Sequence, residues 1–269
     1  MDLRSFVVSA FTDRPFSGNP AAVCLLDQPR PDTWLQAVAA DFNLSETAFL
    51  LPGGDARWQL RWFTPAAEVE LCGHATLASA HTLWQDLGAT ANTLSFDTRS
   101  GVLTAQRIGN QGSDHQIKLD FPAAKVQTVT LQPIWQDAVQ GRAVHAARGN
   151  QDLLLELQSA QQVRDFIPDM NAIRQLPTRG LIITARSDSA DSDFVSRFFA
   201  PKVGVDEDPV TGSAHCILGP YWGERLDKTH LRGHQVSKRG GRVGVELRGE
   251  RLNLTGTAIT TLRGTLHVD

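Results

Sequence analysis

The chain has 269 residues, three cysteines and a formal net charge of −3 at neutral pH. Its Lys and Arg are scattered, the densest run being residues 237–242 (SKRGGR), which speaks against the clustered basic face of a nucleic-acid or anionic-membrane binder. No run of 18 apolar residues offers a membrane span. Cys24, Cys72 and Cys216 lack metal spacing and any CxxC, as suits reduced thiols, and the acidic MDLRSF start lacks a signal-peptide core, so a cytoplasmic protein is expected.

In chain order, residues 4–10 read as a strand with Phe6 and Val8 on one face. After the turn chemistry of RPFSGNPAAV, a second strand covers 22–26. PRPDTWLQAVAADF is a helix with Asp32 as N-cap and Trp34, Val38 and Phe42 at i, i+4 and i+8. SETAFLL enters a strand through a polar pair, Ser45 and Glu46, and RWQLRWFTP alternates as a half-buried strand does. A helix is expected from Gly73 to Leu87, closed by Gly88. A hairpin over 94–108, turning at Ser100-Gly101, and a strand in HQIKLDFP follow. Residues 123–135 lack periodicity and read as a linker. Beyond it lie strands near 153–157, 181–184 and 194–199, then a helix over 212–226 that Pro220 is expected to kink or split. The end is strand-rich, with a turn at Arg248-Gly249-Glu250. Strands clustered between single long helices place the chain in the α+β class.

Three landmarks recur in order. GNPAAVCLL, RWFTP and CGHA in the first half answer to GNQDLLLEL, RFFAP and TGSA in the second, at offsets of 131, 136 and 139 residues (Gly18 to Gly149, Arg61 to Arg197, Gly73 to Gly212). The chain therefore reads as duplicated. Two domains are expected: residues 1–122, completed by a final strand near 258–269, and residues 123–257.

The repeated Gly-x-Ala helix starts, Gly73-His74-Ala75 and Gly212-Ser213-Ala214, carry unpaired N–H groups and partial positive charge. Small residues let a carboxylate approach such an end, and two of them in repeat positions suit one anionic substrate. His74 stands at the second position of the first helix, where a neutral ring is favoured; it serves either a ligand or the fold. Asp206, Glu207 and Asp208 precede the second helix, where capping is the default, and Asp208 is also placed to orient an imidazole. Glu46 stands where polar loop becomes apolar strand, and partial burial there would raise its pKa toward that of a usable proton shuttle. By pattern alone it is as readily a solvent-facing strand residue. Cys72 directly precedes a helix, which would depress its thiol pKa, or it is a small buried hydrophobe. Gly240 and Gly241 read as a turn. GxGxxG, P-loop, HExxH and GxSxG motifs are absent from the sequence, so nucleotide, zinc and α/β-hydrolase readings have no support.

FSGNPAAV, SETAFL, RWFTPAAEVELCGHATLASA, FFAPKVGVDEDPVTGSAH and TGTAI together resemble the phenazine-biosynthesis, PhzF-like family, within the wider diaminopimelate epimerase and proline racemase fold. The match runs from about Phe6 to the last strand. The resemblance implies two similar α+β domains, each a curled sheet around a central helix, with the active site in the cleft and the last strand returning to the first domain. It implies a cofactor-independent isomerisation of a cyclic dihydro-hydroxy aromatic acid, with no metal. Glu46 would move the proton, and His74 and Asp208 would support the relay. Asn19, Ser45, Gly73, Thr211, Gly212 and Ser213 would hold a small carboxylate substrate. A homodimer is implied, with neither nucleic acid nor membrane as partner. The epimerase branch carries Cys at the positions of Cys72 and Thr211. Only the first is Cys here, which disfavours racemisation by opposed thiols. An epimerase using Cys72, or a non-catalytic binder of small acids, are the alternatives.

Overall fold

In the computed structural model, which describes residues 2–109 and 116–267, the alternating start of the chain forms β1 (Asp2–Ala10). β2 (Asn19–Leu25) returns antiparallel to it, with Ala10 opposite Asn19. Helix α1 (Asp32–Phe42) leads to β3 (Glu46–Pro52), parallel to β2, and β4 (Arg57–Phe63) runs antiparallel to β3. The short β5 (Glu68–Val69) precedes helix α2 (Gly73–His81), followed by β6 (Thr93–Thr98), β7 (Gly101–Ile108) and β8 (Gln116–Pro122). His115, the expected first residue of the β8 segment, lies outside the described residues.

Two details of α1 differ from expectation. Its N-cap is Pro31 with no side-chain bond, because Asp32 is already helical and its carboxylate pairs with Arg61 at 2.8 Å. Its buried face is Leu35, Val38 and Ala39; Trp34 and Phe42 flank it, partly buried.

Helix α2 packs against β1, β2, β3 and β7, and eight of its nine residues are buried. Small side chains let strands approach closely, and the buried hydroxyls are satisfied locally: Thr76 donates to the Cys72 carbonyl at 2.6 Å and Ser79 to that of Ala75 at 2.7 Å. The expected helix to Leu87 is α-helical only to His81 and widens into a π-helical turn, Thr82–Asp86, where the Leu87 N–H reaches the Thr82 carbonyl. Thr82 also donates to the Ala78 carbonyl, back-bonding that competes with the regular ladder. Gly88, at φ +70°, ends the segment.

The second half repeats the plan. β9 (Gln127–Val129) and α3 (Pro133–Ala138) precede β10 (Ala143–Gly149) and its antiparallel partner β11 (Asp152–Leu157). Helices α4 (Ala160–Arg164) and α5 (Met170–Gln175) take the place of α1, and β12 (Gly180–Arg186) is parallel to β11. β13 (Phe194–Ala200) runs antiparallel to β12, β14 (Val205–Asp208) follows, and α6 (Gly212–Leu226) answers to α2. β15 (His230–Gln235), parallel to β13, leads to β16 (Gly241–Arg248) and β17 (Arg251–Gly256). Gly241 thus opens a strand, and only Gly240, at φ +65°, is a turn glycine.

Residues 123–135 are not a bare linker: β9 pairs with β10, and the Ala124 N–H donates to the Cys216 carbonyl at 3.1 Å. That bond explains why α6 runs unsplit through Pro220. Proline has no N–H for the carbonyl four residues back, which is that of Cys216, and Ala124 supplies one. Gly219 and Gly223 let α6 approach the sheet, since a Cβ would meet Val245 at 2.7 Å and Leu247 at 2.4 Å. The core of this half joins Leu153, Leu155, Leu181 and Ile183 to Trp135, Val163, Phe166 and Phe199.

The chain ends in β18 (Ala258–His267), antiparallel to β1. Asp86, at the end of the π-helical turn, holds β18 by accepting from Thr260 and Arg263. Contacts divide the chain into two units: residues up to Asp120 with those from Thr255 onward, and Phe121–Leu254. Register ties their plans together. Thr47 faces Phe63 across β3 and β4, as Leu181 faces Phe199 across β12 and β13. Counting back one residue, Gly180 is the counterpart of Glu46.

Candidate active site

The first unit gathers Asn19, Glu46, Cys72 and His74. Asn19 opens β2, Glu46 opens β3, and the parallel register sets Glu46 beside Ala21. Cys72 is the N-cap of α2 and His74 its second residue. Ser45 lies half-buried in the bend before β3. Glu46 Oε2 stands 2.9 Å from His74 Nε2, while the ring's other nitrogen, Nδ1, lies 3.2 Å from Asn19 Nδ2 and 3.6 Å from Cys72 Sγ. Asn19 is wholly buried and His74 nearly so; the Glu46 side chain keeps 18% of its surface exposed, while its Oε2 is buried.

Glu46, Cys72 and His74 also place one oxygen, one sulfur and one nitrogen within 4.8 Å of one another, a set with the chemistry of a metal site. The same imidazole, however, meets the thiol through Nδ1 and the carboxylate through Nε2, so its two edges are divided between them.

The electrostatics decide between the two readings of Cys72. The Cys72 thiol is pushed up, by burial first and then by the Glu46 charge, against smaller lowering contributions that include His74. The helix end does not outweigh loss of water, and the thiol stays protonated near neutrality. His74 is drawn well above its ordinary value, against the neutral ring expected at a helix start: burial opposes its charge, but interactions with Cys72 and Glu46 outweigh that opposition.

The second unit gathers Asp208, Thr211, Gly212 and Ser213 at the start of α6. The Asp208 carboxylate accepts from the Thr211 hydroxyl. Buried Gln235 clasps the turn at both ends, accepting from the Thr211 N–H at 2.9 Å and donating to the Asp208 carbonyl at 2.7 Å. Ser213 Oγ accepts from Arg179 Nη2 at 3.2 Å, and Arg179 forks onto the buried carboxylate of Asp152, which holds the guanidinium charged. So where the first unit has Glu46 against His74, the repeat has Gly180, preceded by Arg179, against Ser213. A Cβ at Gly180 would lie 2.4 Å from the Phe198 ring.

Glu207 does not cap α6. It takes a two-pronged bond from Arg197, as Glu68 does from Arg61, and each guanidinium lies over a phenylalanine, Phe199 and Phe63 respectively. Reasoning from sequence missed this repeated fork, as well as Arg179, Asp152 and Gln235. The signal for the fork was present: Glu68 to Glu207 has the same 139-residue offset as Gly73 to Gly212. Arg179 and Gln235 lie outside all three landmarks and carried no such signal.

A family model for phenazine biosynthesis-like proteins matches residues 8–264. An "uncharacterized isomerase" of Halalkalibacterium halodurans is 47% identical, with 97% of each chain covered. A second protein with that description, from Pseudomonas aeruginosa, is 46% identical over the whole of both chains. The crystal structure of a phenazine biosynthesis protein of the PhzF family from Enterococcus faecalis superposes with a TM-score of 0.93 at 39% identity, covering 100% of each chain.

Proposed function

The chain belongs to the phenazine biosynthesis-like (PhzF) family, and from that premise we propose that it is an isomerase that shifts a proton within a small, carboxylate-bearing, conjugated cyclic acid, with Glu46 as the shuttle. The observation that carries this reading is the Glu46–His74 pair: a partly accessible carboxylate held at 2.9 Å by a buried imidazole. The isomerase descriptions of two relatives of similar length agree with it.

In the proposed reaction, Glu46 takes a proton from a ring carbon of the substrate. The electron pair left behind spreads through the conjugated system toward the carboxylate. That proton, or one exchanged for it from solvent on Glu46, is then returned at a distant carbon, so atoms and electrons balance and neither oxidant nor cofactor is consumed. A well-placed base contributes about 10²–10⁴-fold to such a step. The first-turn amides of α2 at Gly73 supply fixed partial positive charge for the developing anion. His74 and Asp208 are assigned to support of the proton relay, and Asn19, Ser45, Gly73, Thr211, Gly212 and Ser213 to substrate binding. A homodimeric, cytoplasmic enzyme completes the reading.

Thiol-based epimerisation is the weaker alternative. It requires an ionisable Cys72, which is buried and pushed up, and its repeat position is Thr211. The discriminating experiment incubates the protein in D₂O with a dihydro-hydroxyanthranilate and with a panel of amino and imino acids. Carbon-bound deuterium in the cyclic acid supports the proposal. Exchange confined to the α-carbon of an amino or imino acid favours the epimerase, and binding without exchange favours a non-catalytic protein.

A further inference from the structure

We propose that Arg179 is a specificity-determining residue of the second unit: it selects an anionic substrate by donating from Nη1 to the substrate carboxylate and by leaving the Ser213 hydroxyl hydrogen free for that same group. The proposal rests on the reading of the chain as an isomerase of a small, carboxylate-bearing cyclic acid.

The register of the repeat singles the residue out. In the first unit Glu46 opens β3 behind Ser45, with Ala21 beside Glu46 on the parallel strand. In the second, Gly180 opens β12 behind Arg179, with Asp152 beside Gly180. A side chain at Gly180 is excluded, since a Cβ there would lie 2.4 Å from the Phe198 ring and 3.1 Å from Asp152 Oδ1. The acid on the neighbouring strand, Asp152, is buried and accepts from Arg179 Nε at 2.9 Å and from Nη2 at 2.5 Å, so both of its oxygens are occupied. The second unit thus presents a guanidinium at the strand opening where the first presents a carboxylate.

The arginine is held from several sides. Its backbone N–H donates to the Gln151 carbonyl at 2.9 Å, its guanidinium lies 5.6 Å from the centre of the Phe198 ring, and Nη2 also donates to Ser213 Oγ at 3.2 Å. A guanidinium has five N–H donors, and the fork and the serine draw only on Nε and Nη2. Nη1 keeps two N–H groups with no acceptor among the described residues, on a side chain that is 36% exposed. Ser213 Oγ already accepts, and among the described residues nothing accepts its hydrogen. These two groups can only donate further. A carboxylate offers an oxygen to each and carries the opposite charge to the guanidinium. Asp152 offsets part of that charge, and the Asp208 carboxylate, also near the guanidinium, accepts from Thr211. Selection therefore comes from directed donors more than from net charge.

The test is calorimetric binding of a dihydro-hydroxyanthranilate and of its primary carboxamide to the full chain, with deuterium exchange into the acid followed in parallel. The amide places an NH₂ donor where the acid has an acceptor oxygen. Wild type is expected to bind the acid at least about 10-fold more tightly than the amide. Arg179→Met alone would strand the buried Asp152 charge, so it is combined with Asp152→Asn. Arg179→Lys keeps a cation for Asp152 but has no planar fork with a second arm. In both variants the acid is expected to weaken about 10-fold with the amide nearly unchanged, and KM for exchange to rise by the same factor while kcat moves less than about 3-fold. A merely structural arginine would weaken acid and amide alike, and that result overturns the proposal. So does a wild type that binds acid and amide equally or binds neither, or an acid-to-amide ratio left unchanged in either folded variant. Failure of the isomerase reading shows separately, as acid bound by wild type without exchange, and leaves the ratios interpretable.

Discussion

Glu46 Oε2 and His74 Nε2 stand 2.9 Å apart, and both residues sit at the opening of an element, β3 and α2 respectively. Strand and helix openings are where a side chain can be buried by regular structure on one side and reached by a ligand on the other. The two openings therefore set the imidazole against the carboxylate. His74→Gln is expected to lower the rate of deuterium exchange about 10²-fold while shifting the thermal midpoint little, because glutamine keeps a polar group of similar reach beside Glu46. Exchange rate and midpoint measured together check this.

Gly18 decides whether Asn19 reaches His74 at all. Gly18→Ala forces a left-handed alanine, at about 1–2 kcal/mol, and drives its methyl group into the Ala10 carbonyl. Loss of stability and loss of activity are both expected. Gly149→Ala, at the repeat position, meets only the Ile217 side chain at 2.9 Å and is expected to leave the exchange reaction intact.

His215 sets an acid limit on stability. It is fully buried, and burial depresses its pKa to about 4 even though it bonds the Thr211 carbonyl at 2.8 Å. The unfolded chain binds this proton near the ordinary value of about 6.5, the folded chain only near 4. Stability is therefore full above pH 6.5 and falls between 6.5 and 4, by up to about 3 kcal/mol at the rate of ~1.4 kcal/mol per unit. Thermal midpoints measured from pH 7 to 4 should fall less steeply in His215→Asn, which keeps a donor for Thr211 and does not titrate there.

The two Arg–Glu forks are unequal. The Arg197 side chain is 11% exposed and also donates to the Phe166 carbonyl, whereas Arg61 is 29% exposed. Arg197→Met leaves the half-buried Glu207 without its guanidinium and is expected to cost about 1–3 kcal/mol. Arg61→Met should cost less. Urea midpoints of the two variants give the order.

The repeated plan and the element openings that carry Glu46 and His74 were legible because they depend on local patterns. Alternation marks β1 and β4, glycine marks the start of α6, and SETAF and CGHAT stand at element openings. What escaped depends on partners distant in sequence. β9 exists because β10 pairs with it, and α6 survives Pro220 because Ala124 donates to Cys216. The choice between the two readings of Cys72 needed the fold, because burial, a property of the folded chain, outweighs the helix end. Arg179 is isolated in sequence, and only register places it next to the counterpart of Glu46.

The central claim is that Glu46 carries the proton. Glu46→Gln keeps the size of the side chain and its place beside His74 but cannot take a proton from carbon. The decisive measurement is mass-spectrometric detection of carbon-bound deuterium in a dihydro-hydroxyanthranilate incubated in D₂O with wild type and with this variant, alongside calorimetric binding of the same acid. Exchange by wild type, with exchange at least about 10²-fold slower in Glu46→Gln and binding retained, is the predicted result. Exchange by Glu46→Gln at the wild-type rate would contradict the account.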